Sequence, residues 1–153
     1  GCAPIVTAWG TGQSHVLPVR PASIAKSLAI GNPAAGMYAL QALEDTSGTA
    51  VAAREDRIVE GIRILAENEG IFTETAGGVV ISGLKELAEK GIIKPDELTV
   101  AYITGNGLKT QEAVEHTVKP VYTAPDFEAF QTAMAARYDS RQREEPASWP
   151  GSV

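Results

Sequence analysis

Residues 98–109 read Leu-Thr-Val-Ala-Tyr-Ile-Thr-Gly-Asn-Gly-Leu-Lys, an apolar run that ends in a turn with two glycines. A nearly continuous apolar run of this length is typical of a strand that is buried on both faces of a parallel sheet. In open α/β sheets, ligands bind beyond the carboxyl ends of the strands. We therefore predict a central strand over 98–103. The turn after it either faces a ligand or is a tight turn and nothing more.

The rest of the chain alternates helical and extended patterns. Ile58, Ile62 and Leu65 form one apolar stripe, which predicts an amphipathic helix over 55–68. Alternation of helices and strands is typical of an α/β fold, and the small number of strands indicates that the sheet is incomplete. The other predicted helices cover 4–9, 23–30, 33–46, 76–90 and 125–138, and the other predicted strands cover 49–53, 71–73 and 121–123.

Composition narrows the class of protein. The 153 residues suit one domain, and the net charge of −6 argues against a nucleic-acid surface, which needs clustered Lys and Arg. No apolar run approaches the roughly 20 residues that a membrane-spanning helix needs, so no membrane contact is expected. The single cysteine suits a reducing, cytoplasmic location, and the two histidines lie outside any ligand-spaced cluster, so no metal site is expected.

The two ends of the chain have distinctive compositions. The chain opens with Gly-Cys-Ala-Pro instead of Met, and its hydrophobic pattern is already under way at Ile5. This beginning is typical of a sequence cut from a longer chain, which is what we expect here. Residues 139–153 are mostly polar or charged, contain two prolines and lack a pattern, which predicts a disordered tail.

Two further segments hold candidate site residues. Glu74 lies in Phe-Thr-Glu-Thr-Ala-Gly-Gly, residues 72–78, directly before a predicted helix. Either Glu74 or Thr75 caps that helix, where acidic charge is also favoured, or the Glu74 carboxylate faces a cleft. The adjacent glycines 77 and 78 would permit close packing or the close approach of a ligand. Ile30-Gly31-Asn32-Pro33 is either the lead-in to a helix or a second ligand-contacting turn.

No side chain stands out as a catalytic group. A lysine that binds a carbonyl compound covalently is normally activated by desolvation in an apolar pocket. Lys26 lies on a polar helix face and Lys109 follows a turn, so neither suggests such a site. Cys2 has no neighbouring basic partner, and His15 and His116 are expected on the solvated surface, so no catalytic residue is assigned.

Four motifs follow one another along the chain: Gly-Cys-Ala-Pro-Ile-Val (1–6), Ser-Ile-Ala-Lys-Ser-Leu-Ala-Ile-Gly-Asn-Pro (23–33), Glu-Gly-Ile-Phe-Thr-Glu (69–74) and Thr-Gly-Asn-Gly-Leu-Lys (104–109). In this order they resemble the threonine synthases, a family of tryptophan-synthase-β-like (fold type II) pyridoxal-phosphate enzymes. The resembling stretch runs from Gly1 to about Thr110. The resemblance implies part of a three-layer α/β/α fold with a mostly parallel sheet, in which residues 1–138 are the C-terminal part of the large domain.

The resemblance also implies a site for pyridoxal phosphate. Thr104 would hydrogen-bond to the pyridine nitrogen of this cofactor, and a neutral hydroxyl would not hold that nitrogen protonated. The other residues of the implied site are Glu74 near the ring, Ile30 and Gly31 along one face of it, and Gly105 and Asn106 in the same wall as Thr104.

The family's Schiff-base lysine, its glycine-rich phosphate loop and most of its substrate-phosphate ligands lie upstream of the position that corresponds to Gly1. In the intact enzyme the implied reaction converts O-phospho-L-homoserine and water into L-threonine and phosphate. The implied partner is the missing N-terminal part of the same enzyme, and a homodimer is left open. The isolated chain is expected to be inactive.

Two alternatives stay open. One is another fold type II enzyme, such as a cysteate synthase or an amino-acid ammonia-lyase, because upstream residues read most of the substrate. The other is a non-catalytic α/β binding module derived from such an enzyme.

Overall fold

Five α-helices account for most of the regular structure in the computed structural model, which describes residues 1–117 and 121–143. In the first part of the chain, four predicted helices are confirmed, and each begins and ends within a few residues of its predicted bounds. The helix predicted over 23–30 is instead a single 3₁₀ turn. The helices are α1 (Pro4–Gly10), α2 (Gly36–Asp45), α3 (Glu55–Glu69), α4 (Thr75–Glu89) and α5 (Phe127–Arg143), with 3₁₀ helices at Lys26–Leu28 and Gly107–Ala113.

The helices α3 and α4 pack against each other and form the main core. The predicted stripe of α3 is confirmed, since Ile58, Ile62 and Leu65 are all buried. Two glycines allow a close crossing, because a Cβ at Gly61 would overlap the carbonyl oxygen of Gly78, and a Cβ at Gly78 would overlap that of Ile58. The backbones of the two helices therefore lie in direct contact, with no side chain between them at this point.

A charged pair joins the two helices at the surface. Lys85 of α4 donates a hydrogen bond to Glu60 of α3 at 2.6 Å, and Arg57 lies 3.3 Å from the same carboxylate. The hydrogen bond from Lys85, aided by the two positive charges, lowers the pKa of Glu60 below its ordinary value. These side chains are about a third or more exposed, so water weakens the attraction and apolar packing remains the main source of stability.

The predicted parallel sheet is wrong for this chain. Within residues 1–117 and 121–143 the only β-pairing is a single antiparallel bridge between Thr73 and Asn106. The stretches predicted as strands, 49–53, 98–103 and 121–123, form no ladder. A strand is stabilised by hydrogen bonds to a neighbouring strand, and an apolar run without such a neighbour stays irregular. Three large apolar residues of 98–103 are exposed to solvent: Leu98 (96%), Val100 (71%) and Tyr102 (78%).

The chain divides into two compact units, Gly1–Glu115 and a second that begins at His116. The described part of the second unit contains α5, which continues through Arg143. The remainder of the predicted tail, residues 144–153, lies outside the described residues, so the tail and the domain boundary at 138 stay predictions. In the described parts of both units, no helix has the length and apolar character to cross a membrane.

Candidate functional site

Two segments that are distant in sequence lie side by side at the start of α4. The backbone N–H of Glu74 donates to the carbonyl oxygen of Gly105 at 3.1 Å, and that of Gly107 donates to Phe72 at 3.0 Å. The hydroxyl of Thr73 donates to the same Gly105 oxygen at 3.0 Å, across 32 positions of sequence. Segment 72–74 therefore holds segment 105–107 in a fixed register.

The carboxylate of Glu74 is buried in this contact. Its side chain is 6% exposed and lies 3.3 Å from the ammonium of Lys109. A Cβ at Gly105 would overlap Oε1 of Glu74, so the absence of a side chain at 105 lets the carboxylate lie against the backbone of the turn. The close approach of the Glu74 carboxylate therefore explains why a glycine suits position 105.

The start of α4 answers the question of whether Glu74 or Thr75 caps the helix. Glu74 occupies the N-cap position, but no side-chain hydrogen bond caps the helix there. The backbone N–H of Thr75 instead donates to the hydroxyl of Thr110 at 3.1 Å. The hypothesis that the side chain of Glu74 or Thr75 caps the helix is therefore wrong, and the carboxylate of Glu74 is directed to Lys109.

The turn after Ile103 contains an exposed threonine and an asparagine that makes a local hydrogen bond. Thr104 is exposed, while Asn106 accepts a hydrogen bond on Oδ1 from the backbone N–H of Leu108 at 2.9 Å. The backbone N–H of Lys109 donates to the carbonyl oxygen of Asn106 at 3.1 Å. These local bonds stabilise residues 106–109, shortly after Thr104 in the chain.

Ile30 and Gly31 belong to a different feature. Ile30 is 55% exposed and lines an apolar cleft of about 720 Å³, together with residues of the N-terminal segment, α3 and α4. Gly31 is buried and accepts a hydrogen bond from the backbone N–H of Val19 at 2.9 Å. The lining of this cleft includes neither Glu74 nor the turn at 104–106.

The structure thus brings together some of the predicted site residues and leaves others apart. Glu74 contacts Gly105 directly, and Asn106 pairs with Thr73, the neighbour of Glu74. Thr104 adjoins Gly105 in sequence, whereas Ile30 lines the separate cleft. Sequence reasoning missed the partnership of Glu74 with Lys109, which joins positions 35 apart. The only signal was an acidic and a basic residue in two separate motifs, and spacing alone does not pair them.

The two lysines beside the motifs are both paired with carboxylates. Lys26 donates a hydrogen bond to Glu112 at 2.6 Å, and its side chain is 71% exposed. The side chain of Lys109 is 62% exposed and is paired with Glu74. An exposed, ion-paired ammonium is not the desolvated amine that covalent chemistry with a carbonyl group favours. No group of three or more potential metal ligands occurs among the residues that the structure describes.

Comparison with known proteins identifies relatives of this chain. It is 42% identical over 114 residues to the threonine synthase of Methanocaldococcus jannaschii, covering 74% of this chain and 28% of that protein. It is 38% identical over 97 residues to the threonine synthase of Bacillus sp. (strain ULM1), covering 63% of this chain and 27% of that protein. It is 32% identical over 136 residues to the threonine synthase of Methanosarcina acetivorans, covering 88% of this chain and 34% of that protein. The chain therefore spans about a third or less of the length of these relatives.

A family model extends the comparison beyond single relatives. The model described as "Pyridoxal-phosphate dependent enzyme" matches residues 1–105, which include three of the four quoted motifs and the beginning of the fourth. The cofactor of this family is pyridoxal phosphate. The resemblance to threonine synthases that the motifs indicated is confirmed by relatives at 31–42% identity. The chain belongs to the pyridoxal-phosphate dependent enzyme family.

Proposed function

We propose that this chain supplies one wall of the cofactor site of a threonine synthase, which converts O-phospho-L-homoserine and water into L-threonine and phosphate when intact. The observation that carries the proposal is the contact of Glu74 with Gly105. It joins two motifs that are shared with the threonine synthases. The three relatives described above are threonine synthases, which favours this reaction over other reactions of the family.

The residues present fit one side of pyridoxal phosphate. Thr104 offers an exposed hydroxyl, a neutral group that suits the ring nitrogen of a pyridine. The adjacent backbone of Gly105 is held by Thr73 and Glu74, so the hydroxyl is carried by a fixed turn. Preorganised polar groups of this kind bind without paying for reorganisation.

Each residue of this wall has a defined task in the proposal. Thr104 would orient the ring through its nitrogen, and the backbone of 105–106 would set the distance between the ring and α4. Glu74 would place a negative charge, balanced by Lys109, behind the turn. Pyridoxal phosphate, when bound, withdraws electrons from the carbon atoms next to an amino-acid nitrogen. The lysine that binds it and the groups that hold the substrate phosphate would come from the upstream part of the same enzyme.

A chimera tests the proposed reaction. This chain would replace the matching 114-residue segment of the Methanocaldococcus jannaschii threonine synthase. We expect the chimera to release phosphate from O-phospho-L-homoserine and to form threonine, because the transplanted wall would meet the upstream groups. In the same chimera, Thr104→Val should lower kcat/KM by roughly 10- to 100-fold, since one polar contact to the cofactor is lost.

The chimera also separates substrate choice from cofactor binding. A folded chimera that binds pyridoxal phosphate but does not turn over O-phospho-L-homoserine would contradict the threonine synthase proposal. A Thr104→Val chimera with full activity would contradict the role of Thr104. The Thr104→Ser chimera, which keeps the hydroxyl, is the matched control and should retain most of the activity.

The isolated chain should bind no cofactor covalently. Incubation with pyridoxal phosphate, borohydride reduction and peptide mapping are expected to find no preferred lysine, because Lys26 and Lys109 are both exposed and paired with carboxylates. Dialysis before reduction should remove any visible absorbance band. Reduction that labels Lys26 or Lys109 alone, in proportion to the protein, would show that the chain carries its own cofactor-binding lysine.

A further inference from the structure

The ion pair between Glu74 and Lys109 differs from the other charged pairs in its burial. Among the ion pairs of the described residues, Glu74 is the only carboxylate whose side chain is less than a tenth exposed, at 6%. The other paired carboxylates are at least 30% exposed. A buried charge that loses its partner is much more costly than an exposed one, so this pair has a structural effect that the others lack.

The pair also links the end of the turn to its beginning. Lys109 is tied through its backbone N–H to the carbonyl oxygen of Asn106, and its ammonium reaches back to Glu74. The carboxylate of Glu74 in turn lies against Gly105, and the backbone N–H of Glu74 donates to the Gly105 oxygen. The contacts therefore run from Lys109 to Glu74 to Gly105, directly beside Thr104.

We propose that Lys109 is a positioning residue, which acts through Glu74 to hold the turn 104–106 in the geometry that the cofactor ring requires. This inference rests on the proposed function. The charge of Lys109 holds the carboxylate of Glu74 in place. That carboxylate packs against the turn, and the backbone N–H of Glu74 donates a hydrogen bond to it. An arginine at 109 would preserve the charge, whereas a methionine would preserve only the apolar length of the side chain.

The test compares Lys109→Met with Lys109→Arg in the full chain, labelled with ¹⁵N. Hydrogen exchange would be measured at the backbone amides of Glu74 and Gly107, which donate the two backbone hydrogen bonds between segments 72–74 and 105–107. We expect exchange to be roughly tenfold faster in Lys109→Met, because the ion pair no longer stabilises the closed turn against local opening. In Lys109→Arg, which keeps the charge, the rate should stay near that of the original chain. Lys90→Met removes an exposed pair at the far end of α4 and should leave both amides unchanged.

The second measurement is the binding of a cofactor analogue. Pyridoxamine phosphate serves as the probe, since it lacks the aldehyde and cannot bind lysines covalently. Titration into the original chain should shift the amide signals of Thr104 and Gly105. We expect Lys109→Met to bind the probe roughly tenfold more weakly and Lys109→Arg to bind it about as well as the original chain. A general loss of α4 packing would not give this difference between the two variants.

The two readouts distinguish the two proposals. If the probe shifts no amide of the original chain, the proposed cofactor wall is contradicted, and the exchange rates still decide whether Lys109 holds the turn. If the probe binds the original chain and Lys109→Met equally, with equal exchange at Glu74 and Gly107, the positioning role is overturned while the cofactor wall stands.

Discussion

The Gly78→Ala variant is expected to unfold at a lower urea concentration than the original chain, with a loss of about 1–3 kcal/mol in the free energy of unfolding. The added Cβ would overlap the backbone carbonyl oxygen of Ile58 in α3. A main-chain atom of a packed helix cannot rotate away, so α3 and α4 would have to separate and loosen the core around Ile62. Urea unfolding followed by circular dichroism measures the loss.

The sign of this effect is what makes it informative. Alanine is a better helix former than glycine by about 1 kcal/mol, so the same substitution stabilises a helix where space is free. Gly10, the last residue of α1, meets nothing within 4 Å of an added Cβ, and Gly10→Ala is the matched control with an expected small gain or no change. Gly61→Ala should resemble Gly78→Ala, because it faces the carbonyl oxygen of Gly78. A gain in stability for Gly78→Ala would contradict the close crossing.

The helices could be predicted from the sequence because their signals are local. The stripe of Ile58, Ile62 and Leu65 repeats at helical spacing, and Gly70 has φ 68°, a left-handed conformation that suits glycine at the end of α3. The segment 23–30 had a similar apolar pattern but packs mostly as irregular chain, with Ile24 and Leu28 exposed. Helical spacing without a surface that buries the apolar face was insufficient there.

The sheet could not be predicted reliably because strand pairing is non-local. The apolar run 98–103 has the composition of a buried strand, but composition does not supply a neighbouring strand. In the described residues its side chains at Leu98, Val100 and Tyr102 are largely exposed. The resemblance to a family with a parallel sheet strengthened the same expectation, and the fold of this chain does not follow it.

The sequence singled out candidate site residues but not the contacts between them. Glu74 and Gly105 were singled out from separate motifs, and the structure joins them through a backbone hydrogen bond at 3.1 Å. The resemblance places Gly105 in a wall of the cofactor site, and in the structure the space beside its Cα is occupied by the carboxylate of Glu74. The pairing of Lys109 with Glu74 depends on which segments adjoin in space, which local sequence does not encode.

Gly105→Ala is expected to disrupt the candidate site more than any other single methyl addition in the turn. The new Cβ would overlap Oε1, Cδ and Cγ of Glu74, so this side chain must leave its buried position and release Lys109. Overpacking of this kind costs about 1–3 kcal/mol of unfolding free energy. The response of Thr104 to pyridoxamine phosphate should be lost, as measured by the amide shifts in a titration.

A double-mutant cycle with Glu74→Ala decides whether the overlap is the cause. In that background the three atoms that the Cβ would meet are absent, so Gly105→Ala should cost much less than in the original chain. The coupling free energy should then be about 1–3 kcal/mol, in the range of residues in direct contact. Equal costs in both backgrounds would mean that the turn fails for a reason internal to its own backbone, and the contact of Glu74 with Gly105 would no longer support the cofactor wall.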